Sequence, residues 1–488
     1  MTDNYRKKVH YNDLIATFDD VLILPGFTNF NPDEVDISSN LGKYYLHLPI
    51  LSAAMDTVTE EEMAIKMALN GGLGVLHRNI PYERQLEMCR IVKRARSFVI
   101  DDVATINPNA PLRKAKFMMD NYNISGIVVV NENKKVCGIF TKRDIPFLEH
   151  DMKNGVVKDY MTKDVISIKP GASREEALKI LYESRKEKLP IIDKDGYLRG
   201  LITKKDLAPE FPLASKDEEG HLLCALALSP KFPESSQAQN SLKEIEKYVD
   251  IFFIDVADFY KKGDIEGTAK LMEFLDSDFV LGNIGTYKAA EHLITKCDFN
   301  EDKFIGLKVG MGSGSICTTS LQTGVGAPTL YATAQAADAI QDYNSKLSLI
   351  ADGGFKNPGD IPKAIAAGAD LVMSGHFFAG CTESPGLLDT IQGRKVKVYR
   401  GMGSTEARAK GYVSDRYGEG SKMLTEGVSD YVPYTGDLLG VLSTLKEGLV
   451  NGMIYAGAKS IKEMRNAELG IITPIGQREQ RPHDLLGY

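Results

Sequence analysis

The sequence predicts an α/β protein: a (β/α)8 TIM barrel interrupted by an inserted, duplicated module. Three observations carry this. Outside residues 96–207, eight short, near-continuous apolar segments alternate with helical stretches, the pattern of parallel strands buried on both faces. Inside those limits two segments repeat one another without a gap, as duplicated modules do. No G-x-G-x-x-G opens a helix with an acidic residue about 20 positions on, which argues against an open, doubly wound dinucleotide-binding sheet.

The eight predicted strands are Leu48–Met55, Gly72–Leu76, Leu222–Leu228, Ile251–Val256, Phe279–Asn283, Leu307–Met311, Leu347–Ala351 and Leu371–Ser374. A chain of 488 residues, 43% hydrophobic, buries more than one core, and a barrel of this kind takes about 250 residues. The catalytic barrel is assigned to 1–95 and 208–488, with a Gly-rich active-site flap at 405–430. The repeat falls between the second and third strands, where an insertion in a loop is expected.

In the insert, Pro108, Gly138, Thr141, Lys142 and Asp144 recur as Pro170, Gly200, Thr203, Lys204 and Asp206, each 62 positions further on. The two copies cover 96–153 and 158–207. Each reads as a short strand, a helix (Leu112–Asn121; Ser173–Ser184), two strands around a turn, and a Thr-Lys-x-Asp that opens a second helix. This arrangement resembles a pair of cystathionine-β-synthase-type (CBS) modules. The resemblance implies a site for an adenine or guanine nucleotide, with ribose contacts from Thr141, Asp144, Thr203 and Asp206. The alternative is that each Thr-x-x-Asp simply caps the helix after it.

The net charge of −7 and the scattered basic residues argue against nucleic acid, and an anionic ligand would need local amides or single basic residues. Six cysteines without C-x-x-C or metal-ligand spacing read as reduced thiols. With no apolar leader and no apolar run of about 18 residues, a soluble, cytoplasmic protein and no membrane partner are expected.

A barrel's active site lies at the C-terminal ends of its strands. Asp56 follows the first strand, His77-Arg78-Asn79 the second, Asp255 and Asp258 the fourth, and Asn283 the fifth. Gly312-Ser313-Gly314-Ser315-Ile316-Cys317-Thr318-Thr319 follows the sixth, Asp352-Gly353-Gly354 the seventh, and Ser374-Gly375-His376 the eighth. In the loop after the sixth strand, amides and hydroxyls can bind phosphate, carbonyls can hold a cation and a thiolate can attack an electrophilic carbon. Taken alone, that loop is equally well a tight turn with a half-buried cysteine.

Across nearly the whole chain the order of motifs resembles the IMP dehydrogenase/GMP reductase family: Met55-Asp56-Thr57-Val58-Thr59-Glu60, Gly71-Gly72-Leu73-Gly74, the cysteine loop, Asp352-Gly353-Gly354, Tyr399-Arg400-Gly401-Met402-Gly403-Ser404 and Val432-Pro433-Tyr434. The resemblance implies a nucleophilic Cys317 that bonds to C2 of the purine. Thr319, Arg416, Tyr417 and Glu426 would join it in catalysis, the Arg-Tyr pair activating water. Ser315, Asp352, Gly354, Gly375, Tyr399, Met402, Gly403 and Glu426 would bind the nucleotide. Asp255, Asn283 and Gly310 would meet NAD, and the carbonyls of Gly312, Gly314 and Cys317 would hold K+. A homotetramer or octamer is implied.

The presence of Arg416-Tyr417 favours NAD-dependent oxidation of IMP to XMP, the committed step of guanine nucleotide synthesis. Asp255-Val256-Ala257 is closer to the reductase pattern, which converts GMP to IMP and ammonia with NADPH; a non-catalytic nucleotide-binding relative is the third reading. Phe259, Ser320 and His376 depart from the family pattern. Phe259 is expected beside the dinucleotide site, and His376 at the phosphate.

Overall fold

A computed structural model of the chain describes residues 10–11, 14–95, 103–121, 124–146, 152, 154–172, 174–204, 211–412 and 424–480. The chain divides into two compact units, Met1–Ala95 with Leu213–Tyr488, and Arg96–Pro212.

The first unit is a closed parallel barrel. Its strands are β1 (Ile50–Ser52), β2 (Leu73–Leu76), β3 (Ala225–Leu228), β4 (Ile251–Asp255), β5 (Asp278–Ile284), β6 (Phe304–Val309), β7 (Ser348–Asp352) and β8 (Leu371–Ser374). Neighbours pair in order, and β8 pairs β1 through Met373 and Leu51. Every residue of β4 is buried, as a strand covered on both faces requires.

Helices follow the strands: α1 (Glu61–Leu69), α2 (Tyr82–Arg94), α3 (Ser236–Glu246), α4 (Lys262–Phe274), α5 (Tyr287–Thr295), α6 (Thr329–Asp342), α7 (Asp360–Ala366) and α8 (Leu438–Ala456). Caps fix where they begin and end. Asp437 accepts from Leu439 N at the start of α8, and Gly457 ends it at φ +72°, the left-handed conformation glycine adopts at no steric cost. Ser235 and Thr286 cap α3 and α5 in the same way. Apolar faces of α7 and α8 pack on β1 and β8 through Ile365, Leu442, Ile50 and Val372. The hairpin Ser39–Leu41/Tyr44–Leu46 buries Leu41 and Leu46 against the barrel residues Ile251 and Leu371.

Several strand limits differ from the expected ones, each because a specific partner captures the backbone. The third strand begins at Ala225 rather than Leu222, since Leu223 N bonds to Ser215 O and Cys224 N to the Asp250 carboxylate. The sixth starts earlier, at Phe304, and stops at Val309 because Gly310 turns to φ +118°.

The second unit holds two small layers. In one, strands Thr105–Ile106, Gly126–Val130 and Val136–Thr141 form a sheet with helix Leu112–Asn121. In the other, Lys188–Ile192 pairs Leu198–Thr203 beside helix Arg174–Ser184. Each has its own apolar core. Residues after Thr141 form a 3-10 turn, Lys142–Asp144; most of the helix expected beyond it lies outside the described residues. Among the described residues no helix is long and apolar enough to cross a membrane, and all six cysteines are free.

Candidate active site

The loop after β6 is shaped by glycine. Gly310 and Gly312 lie at φ +118° and +78°, a region that strains other residues. Met311 then exchanges two backbone bonds with Ala327, and Cys317 N closes a turn on Gly314 O at 3.0 Å. The far side of the loop is stitched to the C-terminal end of the flap: Val428 N bonds to Ile316 O and Thr318 N to Glu426 O. The half-buried Cys317 thiol is thereby presented 3.2 Å from Thr319 Oγ1, with the Glu426 carbonyl at 3.8 Å. Ser320 packs tightly over Gly312 and Gly326, where any side chain would collide with its hydroxyl.

The floor of the site is ionic. Lys308, on β6 and fully buried, donates to Asp255 Oδ1 at 3.0 Å, to Asp352 Oδ2 at 2.5 Å and to Asn283 Oδ1. Asn283 Nδ2 in turn donates to Asp352 Oδ2 at 3.0 Å and to Gly310 O at 2.7 Å. The role of Lys308 was not read from the sequence; the available signal was a single lysine inside the apolar run Gly306-Leu307-Lys308-Val309.

Opposite the cysteine, Gly353 and Gly354 lie at φ +78° and +81°. A side-chain carbon at Gly375 would sit 2.7 Å from Met55 Sδ and 2.8 Å from the Tyr399 hydroxyl, so a side chain there would displace one or both. The buried Tyr399 hydroxyl belongs to the same cavity wall as Ser315. Burial pushes that phenol well above its ordinary pKa, reinforced by the nearby Asp352 and Cys317, so it stays protonated as a donor. His376 flanks it, with ring centroids 6.4 Å apart. Burial lowers the His376 pKa, which leaves a neutral imidazole at pH 7. Glu426 and Met402 are buried, and Gly403 O accepts from Glu426 N.

One cavity is lined by Cys317, Thr319, Ser315, Asp352, Gly354, Gly375, Tyr399, Met402, Glu426, Asp255, Asn283, Gly310, Gly312 and Gly314, together with His376. Gly403 stands behind it, holding Glu426. Arg416 and Tyr417 lie outside the described residues. Phe259 is fully buried and absent from this lining; its amide donates to Asn283 O at 2.8 Å. Its ring therefore packs into the core rather than against this cavity.

A second cluster braces the rim. Asp56 accepts from Arg400, Lys410 and Asn79, while Arg78 Nη1 donates to Tyr412 O at 3.1 Å. Burial alone would raise the Asp56 carboxyl, but hydrogen bonds and charge from Arg400 and Lys410 hold it below the ordinary carboxylate range.

In the second unit, Asp144 Oδ2 accepts from both Thr141 N and Thr141 Oγ1, at 2.7 and 2.8 Å, closing a capping box. A pocket beside it is walled by Lys142, Arg143, Arg185, Lys186 and Lys188, against Asp144, Asp164 and Glu187. Thr203 ends its strand; Asp206 lies outside the described residues.

Comparison with known proteins gives a consistent result. The IMP dehydrogenase / GMP reductase domain matches residues 15–483. An inosine-5′-monophosphate dehydrogenase of Korarchaeum cryptofilum is 44% identical over 472 residues, 96% of each chain. One from Methanocaldococcus jannaschii is also 44% identical, over 96% of this chain and 95% of its own. Among solved structures, a GMP reductase from Trypanosoma brucei in complex with guanosine 5′-monophosphate has a TM-score of 0.84 at 32% identity, covering 96% of this chain and 98% of its own. The chain belongs to the IMP dehydrogenase/GMP reductase family.

Proposed function

We propose that this chain oxidises IMP to XMP with NAD+ and water. The observation that carries the reading is the cavity itself. A half-buried thiol hydrogen-bonded to Thr319 shares one cavity with the carboxylate Asp352 and the hydroxyls of Tyr399 and Ser315, in a chain 44% identical to proteins named inosine-5′-monophosphate dehydrogenase.

In this reading Cys317, as thiolate, adds to C2 of the purine. The C2 hydrogen departs as hydride, for which NAD+ is the acceptor, and a C2–S bond remains. Water then adds at C2, the C–S bond breaks and the sulfur leaves with its electron pair. The sum is IMP, NAD+ and water to XMP, NADH and a proton. Asp352 accepts ribose hydroxyls, Ser315, Tyr399, Gly354 and Gly375 surround the phosphate, and Met402, Gly403 and Glu426 meet the base. Asp255, Asn283 and Gly310 face the dinucleotide. Thr319 and Glu426 form one route for the proton from water; Arg416 with Tyr417 is the other. The carbonyls of Gly312, Gly314 and Cys317 would hold K+; the Gly314 oxygen takes one amide, from Cys317, which leaves a lone pair for a cation. A bound cation would stiffen the loop that presents the thiol.

The basic walls around Thr141 and Asp144 suit a nucleotide polyphosphate, so the second unit is read as a CBS pair that binds an adenine or guanine nucleotide. A cytoplasmic homotetramer or octamer completes the reading. GMP reduction is the second reading, favoured by Asp255-Val256-Ala257 and by the likeness to the trypanosomal reductase.

Paired assays of the purified protein with K+ decide between them. Nicotinamide absorbance that rises with IMP and NAD+, with XMP as product, supports the oxidation. Absorbance that falls only with GMP and NADPH overturns it.

A further inference from the structure

The ammonium of Lys308 is enclosed by acceptors from three strand ends. Asp255 closes β4, Asn283 lies on β5, and Asp352 closes β7, while the lysine side chain is only 1% exposed. A buried ammonium is expensive unless it is paired and hydrogen-bonded, and two neighbouring carboxylates resist joint ionisation unless a cation lies between them. Here one cation satisfies both conditions.

Its bonds also dictate side-chain orientation. Lys308 holds Asn283 Oδ1, so the Asn283 amide nitrogen turns to Asp352 Oδ2 and Gly310 O. Two donors, Lys308 and Asn283, occupy Asp352 Oδ2. Asp352 Oδ1 has no donor among the described residues and belongs to a side chain that lines the cavity.

We propose that Lys308 is the positioning residue for ligand recognition: it fixes Asp352 as an acceptor with one oxygen kept for a ribose hydroxyl. Through the same ammonium it orients Asp255 and Asn283 on the dinucleotide side. The inference rests on the reading of Asp352 as the ribose acceptor. Lys308 touches no substrate itself; it acts through the carboxylates.

The test is calorimetric titration of the full chain with IMP and with 2′-deoxy- and 3′-deoxy-IMP, run on the wild type, Lys308→Met and Lys308→Met/Asp255→Asn. The double variant removes one charge of each sign, so it remains informative where the single variant fails to fold. A hydrogen bond to a charged group corresponds to a discrimination of about 10- to 100-fold, which the wild type should show against at least one deoxy nucleotide. In the double variant, IMP affinity should fall to within about threefold of that deoxy nucleotide, whose own affinity moves by less than about threefold. General damage would instead weaken both nucleotides alike. Retained discrimination, equal weakening of both, or no discrimination in a wild type that oxidises IMP would overturn the proposal and leave the assigned function standing. A wild type that binds GMP and does not oxidise IMP would overturn the function instead; GMP and its deoxy forms then decide the role of Lys308 by the same comparison.

Discussion

Arg400 grips Asp56 through two nitrogens, with Nη2 2.7 Å from Oδ2 and Nε 3.2 Å from Oδ1. The pair ties the end of strand β10 (Arg394–Arg400), numbered after β9 (Leu388–Ile391) in the antiparallel sheet beside the barrel, to the turn that follows β1. Tyr399 is the preceding residue on the same strand, so the ion pair sets where that phenol stands.

Replacing Asp56 by Ala should therefore cost about 3 kcal/mol of stability at pH 7, the scale for leaving a buried partner unpaired. The Asp56 pKa is lowered in the fold, so its contribution is full above the unfolded value of about 3.9. It is lost as pH falls through the folded value. Urea unfolding of wild type and variant should give a constant gap from pH 6 to 8 that narrows toward pH 3; a gap that widens in acid contradicts the assignment.

Gly375 faces Met55 Sδ and the Tyr399 hydroxyl with no room for a methyl group. Its φ of −92° is one that alanine adopts freely, so Gly375→Ala acts through space and not through strain. It should raise KM for IMP about tenfold, the loss of roughly one hydrogen bond to a charged group, with a smaller change in kcat. An unchanged KM would remove this edge of the cavity from the phosphate subsite.

His376 is neutral at pH 7, since burial lowers its pKa below the ordinary 6.5. Nearby phosphate dianion favours the protonated ring. IMP binding near pH 6.5 should then draw up a fraction of a proton more in the wild type than in His376→Ser, read by calorimetry in two buffers of different ionisation enthalpy. Equal uptake by both proteins would place the imidazole away from the phosphate.

The Cys317 thiol and the Thr319 hydroxyl are 3.2 Å apart. Thr319→Val keeps the shape and deletes that partner. Loss of a positioned proton-transfer group costs about 10²- to 10⁴-fold in rate where it is the sole route. With Arg416 and Tyr417 as the other route, kcat should fall several-fold but by less than about 100-fold, with KM for IMP moved less than about threefold. A variant with near-normal kcat would assign the proton route elsewhere.

The barrel was legible because strands buried on both faces must be apolar throughout, and Ile251–Ile254 and Phe279–Leu281 show this without interruption. Strand ends were less so: Cys224 is apolar, yet its amide is taken by the side chain of Asp250, 26 positions away. The cysteine loop stood out because its glycines answer to positive φ at 310 and 312. Lys308 did not, since its three partners come from β4, β5 and β7 and meet only when the barrel closes. Asp56 was placed correctly at a strand end, but its partner Arg400 lies 344 positions on. Phe259 was expected beside the dinucleotide site by position; its ring is fully buried and its amide donates to Asn283 O.

The most direct measurement is an acid quench of the working enzyme, with digestion and mass spectrometry of the peptide that contains Cys317. Mixed with IMP and NAD+, the wild type should show a purine nucleotide bonded to Cys317 through C2, with NADH formed in the same amount before steady state. Neither should appear with Cys317→Ala, although it still binds IMP. An adduct that forms from GMP and never from IMP with NAD+, or turnover of IMP by Cys317→Ala, would contradict the account.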